Sequence, residues 1–245
     1  MKSIALIFAG GYGQRIGSDI PKQFLKICGR EIIIHTLELF ELNNEIDEIY
    51  VVCIREWIDH LKHLLEKYDI DKVVSIVPGG ETGQDSIFIG LSEIAKNEDD
   101  AIVLLHDGVR PLVTEKTICN AVKSVREHGS AVPVVKCTET PIISMDGSEV
   151  GEMPDRRYMY LAQAPQGYYL KDIYGAHLKE RETETPYEGV VDSCGLMFKH
   201  GFVSHMIEGD SGNIKVTTPN DFYTLLSNLN IQDYEQISLL NENVK

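Results

Sequence analysis

Ser3-Ile4-Ala5-Leu6-Ile7-Phe8-Ala9-Gly10-Gly11-Tyr12-Gly13-Gln14-Arg15 is the stretch that decides the fold. A continuous apolar run closed by clustered glycines reads as a strand buried on both faces that turns at once into a loop. The run is too short for the apolar core of a signal peptide, and the glycines follow directly, so it reads as a core strand.

Outward from this strand the pattern alternates. Ile32–Leu42 has helical periodicity, Glu48–Ile54 is β-branched, and Trp57–Tyr68 is again helical. Val73–Val77 is a short strand closed by Pro78-Gly79-Gly80, followed by a helix over Asp85–Ala95. Ala101–His106 is an apolar strand and Glu115–His128 a helix. Such alternation predicts an α/β fold, a Rossmann-like and mostly parallel sheet flanked by helices. The rhythm then changes. Ala131–Val135 reads as a strand, and Thr140–Ser144 and Val150–Met153 flank Asp146-Gly147, a hairpin signal. This predicts a β-arm projecting over about 138–160 from one domain spanning residues 1–245. Leu170–Arg181 is helical, Val203–Ile207 strand-like and Pro219–Asn228 helical, before a polar tail.

Composition narrows the function. With 23 Lys+Arg against 38 Asp+Glu the formal charge is −15, which argues against nucleic acid held by a general basic face. It leaves room for an anionic small molecule bound by a local cluster of cations. The longest apolar runs are far too short to cross a membrane. Five scattered cysteines form no CxxC pair, which indicates reduced thiols in a cytoplasmic protein and no zinc site.

The glycine loop lets backbone N–H groups approach phosphate oxygens closely. It fits neither common phosphate template. The dinucleotide fingerprint started at Gly11 needs glycine where Ile16 stands, and no P-loop lysine motif exists. A nicotinamide dehydrogenase and a P-loop kinase are therefore disfavoured. Arg15 on the loop and Lys22 in Pro21-Lys22-Gln23 put two cations beside a phosphate-sized turn, an arrangement suited to a polyphosphate.

Six blocks carry a more specific signal. They are Ala9–Arg15 with Pro21-Lys22-Gln23-Phe24; Gly79-Gly80-Glu81 with Asp85-Ser86; His106-Asp107-Gly108-Val109-Arg110-Pro111; Asp155-Arg156; Ala164-Pro165-Gln166; and Asn213-Ile214-Lys215-Val216-Thr217. In this order they resemble the CTP-dependent cytidylyltransferases of polyol phosphates, a family with a ribitol 5-phosphate branch and a 2-C-methyl-D-erythritol 4-phosphate branch.

The resemblance implies attack of an acceptor phosphate on the α-phosphorus of CTP with release of pyrophosphate, a reaction that needs cations and Mg²⁺ more than a protein nucleophile. It implies Arg15, Lys22 and Lys215 as the catalytic cations. CTP would meet Ala9, Gly10, Gly11, Gly13, Gly80, Glu81, Ser86, Asp107 and Gly108, with Asp107 also the Mg²⁺ carboxylate. The acceptor would meet Arg110, Thr140, Arg156 and Asp192, some of them across a homodimer formed through the arm. Ser86 is equally well read as the N-cap of its helix. His106 reads as a structural hydrogen-bonding residue.

Three positions depart from the family pattern. Ala164 and Val191 stand where hydroxyl residues are usual, and Gly83 stands where the isoprenoid enzymes have arginine. The first two thin the acceptor contacts expected for methylerythritol phosphate. Val109, the stretch Ile34–Glu38, Trp57 and Lys215–Pro219 lean towards the ribitol branch. A catalytically silent partner subunit would be expected to lose Arg15, Lys22 or Lys215, and all three are present.

Overall fold

The computed structural model describes residues 1–11 and 20–232. Strand β1 (Lys2–Ala9) is followed by a small hairpin, β2 (Lys26–Ile27) and β3 (Arg30–Glu31), and by helix α1 (Ile32–Glu41). Then come β4 (Glu48–Cys53), α2 (Ile58–Lys67), β5 (Val73–Pro78), α3 (Gly83–Asn97), β6 (Ala101–Asp107) and α4 (Glu115–His128). The second half adds β7 (Ser130–Lys136), β8 (Tyr160–Ala162), β9 (Gln166–Tyr169), α5 (Leu170–Arg181), α6 (Ser193–Lys199), β10 (Met206–Glu208) and α7 (Pro219–Gln232).

Among the described residues the main sheet runs β10-β7-β9-β6-β1-β4-β5, with β8 added to β7. The β6-β1-β4-β5 portion is parallel, β10 is parallel to β7, and β9 runs antiparallel between β6 and β7. This is the mostly parallel, helix-flanked sheet expected from the alternation.

The continuous apolar run of β1 has a physical use, because both of its faces are covered. Ala5 and Ile7 pack with α1, α2 and α4 on one side of the sheet. Ile4 and Leu6 pack with α3, α5 and α6 on the other. A third cluster joins Ile27, Ile32 and Val109 to Val216 and to Leu225 of α7. It docks the 213–217 segment onto the end of β6. Strand order reverses at β1, whose neighbours are β4 and β6, and the carboxyl ends of strands at such a switch point form a crevice.

The structure corrects three local expectations. The segment expected to form the arm connects β7 to β8, which pair antiparallel from Val134↔Ala162 to Lys136↔Tyr160, but Thr140–Ser144 and Val150–Met153 are not strands. One bridge, Ile143↔Glu152, is what remains of the hairpin among the described residues. Pro141 brings no N–H, and a lone two-stranded ribbon with no third strand or helix to cover it is marginal. The Asp146-Gly147 turn does form. Asp146 accepts from the N–H groups of Ser148 and Glu149, and Gly147 takes φ 75°. The strand expected at Val203–Ile207 is confined to Met206–Glu208, with Val203 almost fully exposed. Ser86 is not an N-cap. Thr82 caps α3 by accepting from the Asp85 N–H at 3.1 Å, and Ser86 lies one turn inside.

Candidate active site

A cleft of about 1010 Å³ opens at the carboxyl ends of β1, β5 and β6. Gly10 and Gly11 extend from β1, Gly80 and Glu81 follow β5, and Asp107 ends β6, so three strand ends converge there. Backbone crowding explains the glycines. A Cβ on Gly79 would stand 3.2 Å from the Gly10 Cα, and one on Gly80 only 2.5 Å from the Asp85 Cβ. Ser86 stitches this crossing: its hydroxyl donates to the Thr82 carbonyl at 3.0 Å and accepts from the Gly80 N–H at 3.1 Å.

Asp107 is the buried charge of the cleft. Its Oδ1 lies 2.6 Å from Lys215 Nζ, and its Oδ2 accepts from Arg110 Nε at 2.8 Å. Burial pushes the carboxyl up, but Lys215 and Arg110 outweigh it and hold Asp107 below the usual carboxylate range. Arg110 also donates to the Asn213 carbonyl at 2.9 Å, and Val216 N–H to the Val109 carbonyl at 3.0 Å. Lys22 Nζ donates to the Val216 carbonyl at 2.9 Å. Three stretches distant in sequence, at 22, 107–110 and 213–217, therefore assemble one cationic floor.

His106, beside Asp107, is fully buried and bonded to the Arg110 carbonyl at 3.1 Å. Burial pushes its pKa down to about 4, so it stands as a neutral structural residue at neutral pH.

The structure brings together Ala9, Gly10, Gly11, Lys22, Gly80, Glu81, Ser86, Asp107, Arg110, Asp192 and Lys215 along the cleft. Gly108 supports it from beneath, where its N–H donates to the Phe8 carbonyl at 3.0 Å. Gly13 and Arg15 lie outside the described residues. Asp192 has a structural task as well. It caps α6 by accepting from the Gly195 N–H, and its other oxygen accepts from Gln166 Nε2, both at 2.8 Å.

Thr140 and Arg156 do not line the cleft of their own chain. Both are exposed in the connection between β7 and β8, where Arg156 donates to the Thr138 carbonyl at 2.7 Å. Ala164 and Val191 line the cleft, so the two departures from the family pattern do fall on its wall.

Two glutamines carry parts of the site that were not singled out from sequence. Buried Gln23 donates to the carbonyls of Ala9 at 2.6 Å and Gly11 at 3.2 Å, fixing the start of the glycine loop. Gln166 joins Asp192 to the Cys194 N–H. Gln23 lies in Pro21–Phe24 and Gln166 in Ala164–Gln166, but a glutamine's partners are set by folding and leave no spacing signal.

A metal ion was expected at Asp107. The described residues hold no group of three His, Cys, Asp or Glu side chains placed to cage an ion. One carboxylate at the cleft floor, with lone pairs beyond those given to Lys215 and Arg110, fits Mg²⁺ carried mainly by substrate phosphates.

The family model for 2-C-methyl-D-erythritol 4-phosphate cytidylyltransferase matches residues 3–228. The chain is 44% identical over 237 residues to a ribitol-5-phosphate cytidylyltransferase of Vibrio parahaemolyticus, covering 96% of this chain and 99% of that protein. It is 34% identical over 220 residues to a 2-C-methyl-D-erythritol 4-phosphate cytidylyltransferase of Clostridium botulinum, covering 90% and 94%. Among solved structures, 4-diphosphocytidyl-2C-methyl-D-erythritol synthase of Anaerococcus prevotii superposes with a TM-score of 0.80 at 31% identity, covering 94% of this chain and 96% of that one.

Proposed function

The chain belongs to the 2-C-methyl-D-erythritol 4-phosphate cytidylyltransferase family, and we propose that within it this enzyme joins D-ribitol 5-phosphate to CTP, forming CDP-ribitol and pyrophosphate. The reaction class is that of a CTP-dependent nucleotidyltransferase. The observation that carries the acceptor is the 44% identity to a protein named for ribitol 5-phosphate, against 34% to one named for methylerythritol phosphate. Apolar Ala164 and Val191 on the cleft wall agree with it. The second reading, methylerythritol phosphate as acceptor, is favoured by the matching family model and the Anaerococcus structure.

In this reading the triphosphate lies over the glycine loop, where Ala9, Gly10, Gly11 and Gly13 offer backbone groups and Arg15 and Lys22 their charges. Gly80, Glu81 and Ser86 read the cytosine, and Gly108 backs the strand ends. An oxygen of the acceptor phosphate attacks the α-phosphorus in line. The bond from that phosphorus to the bridging oxygen breaks, and the electron pair leaves with pyrophosphate. Lys215 moves from Asp107 to the α-phosphate, where it offsets the charge that spreads over the equatorial oxygens. No proton needs to be moved, because the nucleophile is already an anion, which agrees with a neutral, buried His106. Asp107 would hold Mg²⁺, which when bound neutralises charge on the phosphates.

Arg110 and Asp192 face the acceptor within one chain. Arg156 and Thr140 reach it from the arm of a second copy, so the active form is a homodimer. Exposed Met145 and Met153 give that arm apolar surface to bury.

The deciding experiment is pyrophosphate release with CTP and Mg²⁺, run in parallel with ribitol 5-phosphate and methylerythritol 4-phosphate. Turnover with ribitol 5-phosphate and little with the other supports the reading. The opposite preference replaces it with the second one, and no CTP-dependent release with either acceptor overturns both.

A further inference from the structure

One wall of the cleft, residues 186–192, is held by a polar network that the phosphate chemistry leaves unused. Glu180 of α5 is wholly buried. Its carboxylate accepts from the Tyr187 N–H at 2.7 Å and from Lys199 Nζ at 2.9 Å, and lies 2.9 Å from His200 Nε2. Tyr187 adopts φ 64°, a left-handed conformation that a bulky side chain rarely takes. Such strain persists where surrounding contacts over-determine it, and it gathers at ligand sites.

The Tyr187 side chain has its own anchors. Its hydroxyl lies 2.8 Å from His177 Nδ1 and faces the Arg181 guanidinium, whose charge it feels. Arg181 lines the cleft, stacks over the Phe88 ring at 4.5 Å, and donates to Asp85 at 2.7 Å. Asp85 in turn accepts from the Thr82 hydroxyl at 2.8 Å, and the Thr82 carbonyl takes the Ser86 hydroxyl. An unbroken chain of contacts thus runs from the 182–192 loop to the Gly80–Ser86 turn.

We propose that Tyr187 and Arg181 are positioning residues for the nucleoside end of the cleft, locking the 182–192 loop to the turn that receives the base. The inference rests on the CTP reading above. It explains why a tyrosine is held where glycine would sit without strain: the phenol ties the loop to His177 of α5, beside Arg181. Freed from Tyr187, Arg181 could swing away from Asp85, and the turn would have to be ordered when the nucleotide arrives.

The test uses Tyr187→Phe and Arg181→Gln in the full chain. It reads the Kd of CTP by calorimetry, KM and kcat, and the melting temperature. Losing one link of the lock, to His177 in Tyr187→Phe or to Asp85 in Arg181→Gln, should weaken CTP about fivefold in Kd and KM, with kcat at saturating CTP within about twofold. The double variant should lose no more than Arg181→Gln alone, because both break one chain of contacts. The melting temperature should stay near that of the parent in Arg181→Gln, whose side chain is 41% exposed, whereas Tyr187→Phe also takes the partner from buried His177 Nδ1 and should melt somewhat lower. Unchanged CTP affinity in both variants, or a lowered melting temperature with CTP affinity intact, overturns the positioning role alone. A parent enzyme that binds no CTP overturns the functional reading, and this inference with it.

Discussion

Lys215 Nζ lies 2.6 Å from Asp107 Oδ1, and the carboxylate's other oxygen is bound to Arg110. The two cations differ in freedom. The Arg110 side chain is 13% exposed and also tied to the Asn213 carbonyl, whereas the Lys215 side chain is 43% exposed. Arg110 is therefore the fixed partner and Lys215 the one able to leave for a phosphate.

Lys215→Ala should lower kcat by about 10²–10³, the loss typical of one preorganised charge at a transition state. Arg110 keeps Asp107 paired, so folding should survive, and the KM of CTP should change far less than kcat. Steady-state kinetics alongside thermal melting checks this. A melting temperature that falls in step with activity would make Lys215 structural.

Gly80→Ala tests the crossing beneath the nucleotide. The added methyl would meet the Asp85 Cβ at 2.5 Å and must displace the start of α3, including the Ser86 hydroxyl bond to the Gly80 N–H. CTP affinity should fall by about tenfold or more, as when an overpacked contact costs ~1–3 kcal/mol. Calorimetry measures it directly.

His177 gives a pH prediction. Burial, reinforced by Arg181 and His200 and opposed by Glu180 and Asp85, pushes its pKa from 6.5 down to about 4. The unfolded chain therefore binds this proton more readily than the folded one. Stability from the neutral imidazole is full above about pH 6.5 and is lost as pH falls towards 4. The slope is roughly 1.4 kcal/mol per pH unit at most. Urea midpoints recorded from pH 7 to pH 4 should decline less steeply in His177→Gln than in the parent.

The homodimer reading predicts complementation. Arg156→Ala spoils acceptor binding from the arm, and Lys215→Ala spoils the cleft. Mixed dimers of the two should regain part of the activity that each variant lacks, because one of their two sites draws both residues from intact sequence. Failure to recover in subunits shown to exchange would confine Arg156 to its own chain.

Chelation should stop pyrophosphate release, and Mg²⁺ should restore it. Asp107→Asn should raise the Mg²⁺ concentration needed for half-maximal rate. An unchanged Mg²⁺ requirement would leave Asp107 as the partner of Lys215 and Arg110 with no part in holding the metal.

Much of this arrangement was legible before folding. Periodicity marked β1, α4 and α5 closely, because elements with fully buried faces must be apolar at fixed intervals. Glycine spacing marked the turns at Gly10 and Gly80, where an added Cβ would stand 3.1 Å from the Ser86 hydroxyl and 2.5 Å from the Asp85 Cβ. The arm was the weakest reading. Its alternation resembled a hairpin, but with little packed against it the backbone forms a single bridge.

The ordered blocks by themselves pointed to the family, and the strand–helix alternation to the mostly parallel sheet, since each depends on residue types at short range along the chain. Only the tertiary structure decided the partners. Asp107 faces Lys215 across 108 positions of sequence, and Gln23 holds Ala9 by a bond that no periodicity announces. Arg181 of α5 meets Asp85 and Phe88 of α3 only because the two helices pack against each other. Hydrogen bonds and ion pairs are made at about 3 Å between groups that chain folding brings together, so their identity is a property of the packed molecule.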